Sequence, residues 1–246
     1  MVIAAQIYVF TKLPNLTARM PGILLGLAEA GYEGIEGMIG HPPEGPEPLA
    51  AAGLKCFATH CGTSRLSARE EVLSVCRTMG TGAICNSGLP QWDRRRAEDY
   101  IAGSAAINAL AAEYGRDGVT LHYHNHDFEF EAVDGRRTGM DLLLEGLDFS
   151  RVKLCLDLGW AQVAGVDTVA LLRDHAEKIG LVHLRDFSGR SSRPLGQGEI
   201  DLAPQIEAIG GLPNLQALVV EQDPDTEDPL GDTIAGRRYL RDRFGL

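Results

Sequence analysis

The feature that most constrains this chain is a recurrence: at intervals of roughly 30 residues a short apolar run is followed by an amphipathic stretch. Strands that alternate with helices in this way form a parallel sheet, because a parallel pair needs a crossover long enough to hold a helix. The apolar runs are Ile3–Val9, Gly34–Gly37, Lys55–Thr59, Ala83–Asn86, Val119–His124, Val152–Asp157, Gly180–Leu184 and Leu218–Gln222. Helical patterns lie between them at Arg19–Ala30, Ala68–Met79, Arg94–Tyr114, Gly139–Leu147, Thr168–Lys178, Leu202–Ile209 and Thr233–Phe244. Gly31, Gly80, Gly115 and Gly180 follow helical stretches, where a left-handed cap belongs. Eight such strands in 246 residues predict an α/β chain, a closed (β/α)8 TIM barrel rather than an open doubly wound sheet. No Ser/Gly or Pro-rich linker interrupts it, so residues 1–246 read as a single domain. Neither G-x-G-x-x-G nor a Walker-type loop is found; Phe10-Thr11-Lys12-Leu13-Pro14 follows the first run, and Gly196-Gln197-Gly198 is too short to cradle a phosphate alone.

Charge narrows the partners. With 23 Lys+Arg against 34 Asp+Glu, the formal net charge of −11 opposes nucleic acid, whose binding depends on cations that neutralise phosphates. The one dense cationic run, Arg94-Arg95-Arg96, opens a predicted helix and reads as a solvated face. No window approaches the roughly 18 to 20 apolar residues of a membrane span. MVIAAQIYVF lacks a basic region and a small-residue cleavage site, so no membrane partner and a cytoplasmic location are expected. Cys56, Cys61, Cys76, Cys85 and Cys155 form no C-x-x-C pair and read as reduced core thiols.

In such a barrel the site lies at the C-terminal ends of the strands. Those ends are polar here: Glu36, His60, Asn86, the run His122 to Glu129, Asp157, His183 and Glu221. Asp157 closes Lys153-Leu154-Cys155-Leu156, His183 closes Leu181-Val182, and Glu221 closes Leu218-Val219-Val220. A carboxylate buried at an apolar barrel mouth is costly unless it is paired or bound to a cation. His124, Asp157, His183 and Glu221 make a mixed nitrogen and oxygen set for one divalent metal ion; it suits Mg²⁺, Co²⁺ or Zn²⁺, and its oxygen share leans toward Mn²⁺. Each residue alone has a plainer reading: Asp157 caps the turn before Gly159, Glu221 pairs with a surface arginine, His60 is a hydrogen-bonded wall. Three ligand types at successive strand ends weigh against that. The fifth strand leaves two alternatives. If it stays regular, His122, His124 and His126 share a face and His124 is the ligand, which is the preferred reading; if it ends at Tyr123, Glu129 reaches the ion and His124 becomes a base beside it. His122, Asp127 and His175 read as structural and His41 as loop.

A divalent ion held there would act as a Lewis acid on a bound oxygen and acidify a neighbouring C–H. The base must lie within hydrogen-bond reach, and His126, Glu129 and Glu221 are candidates, the first two as dedicated catalytic residues. His60, Asn86, Trp160 and Arg185 are the candidates for holding the substrate. Arg190 and Arg193 could meet hydroxyls or an anion, and Trp92, Trp160 and Phe187 could supply an apolar floor to a bound ring, although water contact and core packing are the ordinary readings.

The stretches Tyr123-His124-Asn125-His126-Asp127-Phe128-Glu129-Phe130, Leu156-Asp157-Leu158-Gly159-Trp160, Val182-His183-Leu184-Arg185-Asp186, Leu195 to Asp201 and Val220-Glu221-Gln222-Asp223 resemble, in order and spacing, the sugar phosphate isomerase/epimerase family, the xylose isomerase-like TIM barrels. Gly31-Tyr32-Glu33-Gly34-Ile35-Glu36 and Leu54 to His60 extend the likeness toward the N-terminus. The resemblance implies a metal on four side chains of the last four strands, commonly Glu, Asp, His and Glu, and transfers three onto Asp157, His183 and Glu221. His124 stands where many members carry Glu, and Trp160 where many carry His. It also implies a small-molecule sugar or sugar derivative as partner and a metal-dependent isomerase or epimerase activity, in which the ion on a carbonyl and its neighbouring hydroxyl stabilises the enediolate formed by proton abstraction. The same scaffold serves dehydratases, lyases and hydrolases of keto-sugars or 3-keto-glycosides, which stand as alternatives beside a non-catalytic sugar-binding barrel. Phosphodiester cleavage, as in related DNA-repair barrels, is opposed by the acidic charge. A homodimer is the prior expectation for a barrel of this size.

Overall fold

A computed structural model describes residues 1–90 and 96–246 of the chain, so Trp92, Arg94 and Arg95 lie outside the described residues. Strands β1 (Ile3–Gln6), β2 (Gly34–Met38), β3 (Lys55–Gly62), β4 (Ala83–Ser87), β5 (Thr120–His124), β6 (Val152–Asp157), β7 (Ile179–Leu184) and β10 (Ala217–Val220) close into one barrel. Each is parallel to its neighbours in chain order, and β10 pairs back onto β1. A short hairpin of β8 (Asp186–Ser188) and β9 (Ser191–Arg193) stands outside the barrel. Helices α1 (Leu16–Ala30), α2 (Glu47–Ala52), α3 (Arg69–Met79), α4 (Ala97–Gly115), α5 (Gly139–Gly146), α6 (Leu158–Val163), α7 (Thr168–Asp174), α8 (Leu202–Ile209) and α9 (Pro229–Phe244) fill the crossovers. This is the single-domain (β/α)8 barrel that the recurrence predicts.

The differences lie in the ends. The first strand stops at Gln6, whose side chain accepts the Tyr8 N–H and turns Ile7–Phe10 into a 3-10 helix. The third strand runs on to Gly62, which places His60 inside it. The helix expected over Thr168–Lys178 breaks at His175 into α7 and a 3-10 turn, Ala176–Lys178. Helices α2 and α6, six residues each, are too short for a 3.6-residue period to announce itself. Gly31 and Gly80 are left-handed caps as expected. Gly115 instead closes α4 and is followed by a right-handed Arg116, and Gly180 lies within β7. There a Cβ would stand 2.6 Å from His122 Nε2, so close approach rather than capping explains that glycine.

Alternation along the strands sorts the side chains into two cores. Ile35, Ile84, Leu121, Leu154, Leu156, Val182 and Leu218 face outward under the helices. A smaller interior cluster holds Ala4, Ala58, Cys85, Cys155, Leu181 and Val219. Two positions further along β1, β3, β4, β6, β7 and β10 the inward residue turns polar, giving Gln6, His60, Ser87, Asp157, His183 and Glu221; Glu36 and His124 complete the ring from β2 and β5. All five cysteines are buried and free, and burial pushes the Cys155 thiol up to about 12, as inert core thiols require. Among the described residues no helix is long and apolar enough to cross a membrane.

Candidate functional site

Asp157 ends β6 and begins α6. Its Oδ1 accepts the Trp160 N–H at 2.8 Å, the capping role that the sequence allowed, which leaves Oδ2 to face the barrel axis 3.5 Å from His124 Nε2. Asn125 ties this end to β5: its Nδ2 donates to the Asp157 carbonyl at 3.1 Å and its Oδ1 accepts the Asp157 N–H at 3.0 Å. The fifth strand is therefore regular through His124, and His124 points inward. On the other side His183 Nδ1 lies 2.5 Å from Glu221 Oε2, and its Nε2 lies 2.9 Å from Glu36 Oε2.

One ligand atom from each of His124, Asp157, His183 and Glu221 falls within 4.8 Å of all the others, and all four residues are buried. Neither ring nitrogen of His124 has a hydrogen-bond partner, although buried imidazoles ordinarily find one; its neighbours are carboxylate oxygens at 3.5 Å and 3.8 Å. An imidazole that turns one nitrogen inward and anchors the other on a carboxylate, as His183 does on Glu36, is the usual arrangement around a bound metal. The donor set fits a divalent cation.

Arg185 sets the local field. Its Nη1 lies 3.4 Å from Asp157 Oδ2 and 3.6 Å from Glu221 Oε1, its Nη2 pairs with Asp223, and the guanidinium packs 5.0 Å from the Trp160 and Phe187 ring centres. Burial alone would raise the Glu221 carboxyl, but Arg185 and His183 outweigh it and hold it well below the usual carboxylate range. Burial likewise works against a charged His60, yet Cys85 and Glu36 carry it up to about 9. His126 moves the other way: burial, with His124 nearby, holds it neutral, down to about 2.

Above these groups opens a cavity of about 500 Å³. His60, His126, Trp160 and Arg185 line it, as do His124 and Glu221. Asp157 and His183 lie beneath it, and of the expected catalytic and substrate-holding residues two do not line it. Glu129 is fully buried and spends both oxygens on the chain, accepting from Tyr123 Oη at 2.8 Å and from the His126 N–H at 2.6 Å. It is thus a support for the His126 loop rather than a group that reaches substrate, because the 3-10 turn Phe128–Phe130 folds it back under the strand. Asn86 faces the helices and donates to Thr63 Oγ1 at 2.9 Å. The fourth strand extends one residue beyond its expected end, and parity gives the cavity to Ser87. Phe187 packs against Trp160 at 4.9 Å and is buried instead of forming a floor. Arg190 reaches Asp127 and the Trp160 ring.

The sequence reading did not assign Gln6, Glu36 or Ser87. Glu36, fully buried, accepts from Gln6 Nε2 at 2.5 Å and faces His60 Nδ1 at 2.9 Å as well as His183. Glu36, Cys85, Cys155 and His183 form a second close donor group, but direct hydrogen bonds already occupy the Glu36 oxygens, so this group is a floor under the first. The signal for Ser87 was the two-residue step from Cys85. The Gly196-Gln197-Gly198 turn has its own occupant: Asp186 Oδ2 accepts from Gly196 and Gly198 N–H, both at 2.9 Å, and Oδ1 from Phe187 at 2.9 Å and Ile200 at 3.2 Å. A Cβ on residue 198 would lie 2.1 Å from that Oδ1.

The sequence profile described as the xylose isomerase-like TIM barrel matches residues 25–243. An inosose dehydratase of Geobacillus thermodenitrificans is 29% identical over 180 residues, which take in 63% of this chain and 56% of that one. The chain thus matches little more than half the length of that relative. Among solved structures, a sugar phosphate isomerase/epimerase from Parabacteroides distasonis superposes with a TM-score of 0.80 at 19% identity, covering 98% of this chain and 94% of that one. The IOLI protein, solved with a bound zinc atom, gives a TM-score of 0.73 at 16% identity over 98% and 97% of the two chains. At such identities these two likenesses speak for the fold alone.

Proposed function

This chain belongs to the xylose isomerase-like TIM barrel family, and from that premise we propose that it is a divalent-metal-dependent dehydratase that removes water from a cyclic keto-polyol of the inosose type. The observation that carries the reading is the meeting of His124, Asp157, His183 and Glu221 donor atoms within 4.8 Å beneath a sugar-sized cavity. The likeness to an inosose dehydratase supports elimination as the outcome.

His124, Asp157, His183 and Glu221 would hold the ion, Mn²⁺ by its preference for such a mixed set, and the ion when bound would polarise the substrate carbonyl and acidify the neighbouring C–H. The remaining work falls to the chain. With the ion in place Glu36 would accept a hydrogen bond from His183 Nε2–H and leave Nδ1, which here faces Glu221 Oε2, to the metal. Arg185 balances Asp157, Glu221 and Asp223, so that three carboxylates can share one mouth. Trp160 walls the cavity with an apolar face against which a sugar ring can lie. His126 lines the cavity and is placed to accept the α-proton on its imidazole; burial makes it a weak base, so the reading needs that C–H acidified first. Glu129 holds its backbone N–H and Phe128 stacks on its ring at 5.0 Å.

An isomerase or epimerase, the activity that the family resemblance implies first, would share the proton removal and differ in returning a proton to carbon instead of expelling a hydroxyl. One incubation separates them. Protein loaded with Mn²⁺ is mixed with an inosose in D₂O and followed by NMR and by ultraviolet absorbance. Deuterium entering the α-carbon together with a conjugated enone is the expected result. Exchange with an epimer and no enone would replace the dehydratase reading, and no exchange with any keto-sugar would end the enzymatic one.

A further inference from the structure

We propose that Glu36, His60 and Ser87 form a proton relay that delivers a proton to the departing hydroxyl during the elimination, the acid limb opposite His126. The inference rests on the dehydratase reading. Elimination needs two proton movements at two carbons, and His126 accounts for only one.

The relay is laid out in bond lengths. Glu36 Oε1 lies 2.9 Å from His60 Nδ1, and His60 Nε2 lies 3.2 Å from Ser87 Oγ. The carboxylate is fully buried, the imidazole is nearly so, and Ser87 and His60 both line the cavity, so the chain starts in the barrel and ends at a residue on the cavity wall. Gln6 Nε2, 2.5 Å from the same Glu36 oxygen, fixes the carboxylate from its other side. A carboxylate on Nδ1 requires a proton there, which directs Nε2 to the serine; this ordering of orienting acid, imidazole and hydroxyl is how chains elsewhere move protons to and from an oxygen. His60 sits on β3 and His126 just past β5, with their rings reaching the cavity from different staves, and the His60 ring centre is 5.3 Å from that of His124. The relay thus adjoins the cation site and shares Glu36 with it, one oxygen facing His60 and the other His183.

In the step, the α C–H bond breaks and its proton goes to His126, while its electrons form the carbon–carbon double bond. The β C–O bond breaks, and the leaving oxygen takes the Ser87 hydroxyl proton. Ser87 takes the Nε2 proton of His60, which keeps its Nδ1–H on Glu36. Solvent recharges His60 and discharges His126, so the net change is keto-polyol to enone plus water.

The test compares α-proton exchange with enone formation in Mn²⁺-loaded wild type, His60→Gln and Ser87→Ala. Loss of a general acid costs roughly 10² to 10⁴-fold, so enone formation should fall by about 100-fold or more in both variants while exchange falls less than tenfold. Parallel loss of both rates, or an unchanged elimination rate in Ser87→Ala, overturns the relay. ¹⁵N spectra of histidine-labelled protein give a second readout that does not depend on turnover: the relay requires protons on both His60 nitrogens, and a ring protonated on one nitrogen alone overturns it. If wild type neither exchanges nor eliminates, the dehydratase reading fails, and the His60 tautomer still decides the Glu36 contact.

Discussion

The two halves of the polar ring use the same residue types and treat them differently. On the β1–β4 side, Gln6, Glu36, His60 and Ser87 are knitted together at 2.5, 2.9 and 3.2 Å. On the β5–β10 side, His124 has no hydrogen-bond partner, and the nearest oxygens of Asp157 and Glu221 stand off at 3.5 and 3.8 Å. Both halves bury carboxylate and imidazole. Burial of polar groups therefore does not distinguish the two halves, and neither does pairing in general, since His183 and Glu221 meet at 2.5 Å; what does is one imidazole, His124, that the chain leaves unsatisfied.

The largest effect should come from the half that leaves His124 unpartnered. Chelation of the bound ion, or Asp157→Ala, should lower elimination by about 10³-fold or more, since a Lewis acid is worth several kcal/mol of barrier. Mn²⁺ resupply should restore the chelated wild type but not the variant; chelated protein at full rate would erase the contrast between the halves. Glu129 offers a carboxyl wholly satisfied by the chain. Burial pushes it from 4.5 up to about 7 in the folded protein. Because the folded value is the higher one, its contribution is fully present below about pH 4.5 and is lost as pH rises through about 7, a change of about 3 kcal/mol. Urea melts of wild type and Glu129→Gln across that window should show the wild type losing this much more stability; parallel pH profiles would refute the assignment. Glu36→Gln should weaken Mn²⁺ binding by about 10 to 100-fold in calorimetry, the usual cost of losing an outer partner of a ligand. A loss as complete as that of Asp157→Ala would make the two halves one. The smallest effect is expected at the wall, where Trp160→Ala should raise KM by about tenfold with kcat nearly unchanged, the mark of a contact made equally in ground and transition states.

The barrel was legible because its repeat is long and its strands are apolar. Asp157, His183 and Glu221 were legible because each is a ligand type set directly after such a run. Ser87 and Gln6 were not: serine and glutamine are ordinary at strand ends, and only strict parity from Cys85 would have preferred Ser87 to Asn86. Glu129 was misjudged because a three-residue turn leaves no periodic trace, so its retreat beneath Tyr123 depends on tertiary packing. Asn125, which staples β5 to β6, has the same character; its role exists only once two strands are adjacent.

Asp186 acts as a tethered anion. A phosphoryl group arriving from solution at the amides of Gly196, Gly198 and Ile200 would have to displace a carboxylate fixed to the same backbone, at an effective molarity that no metabolite reaches. The Gly196 to Ile200 turn, filled by the residue next to Arg185, is therefore closed to outside anions by prior occupancy.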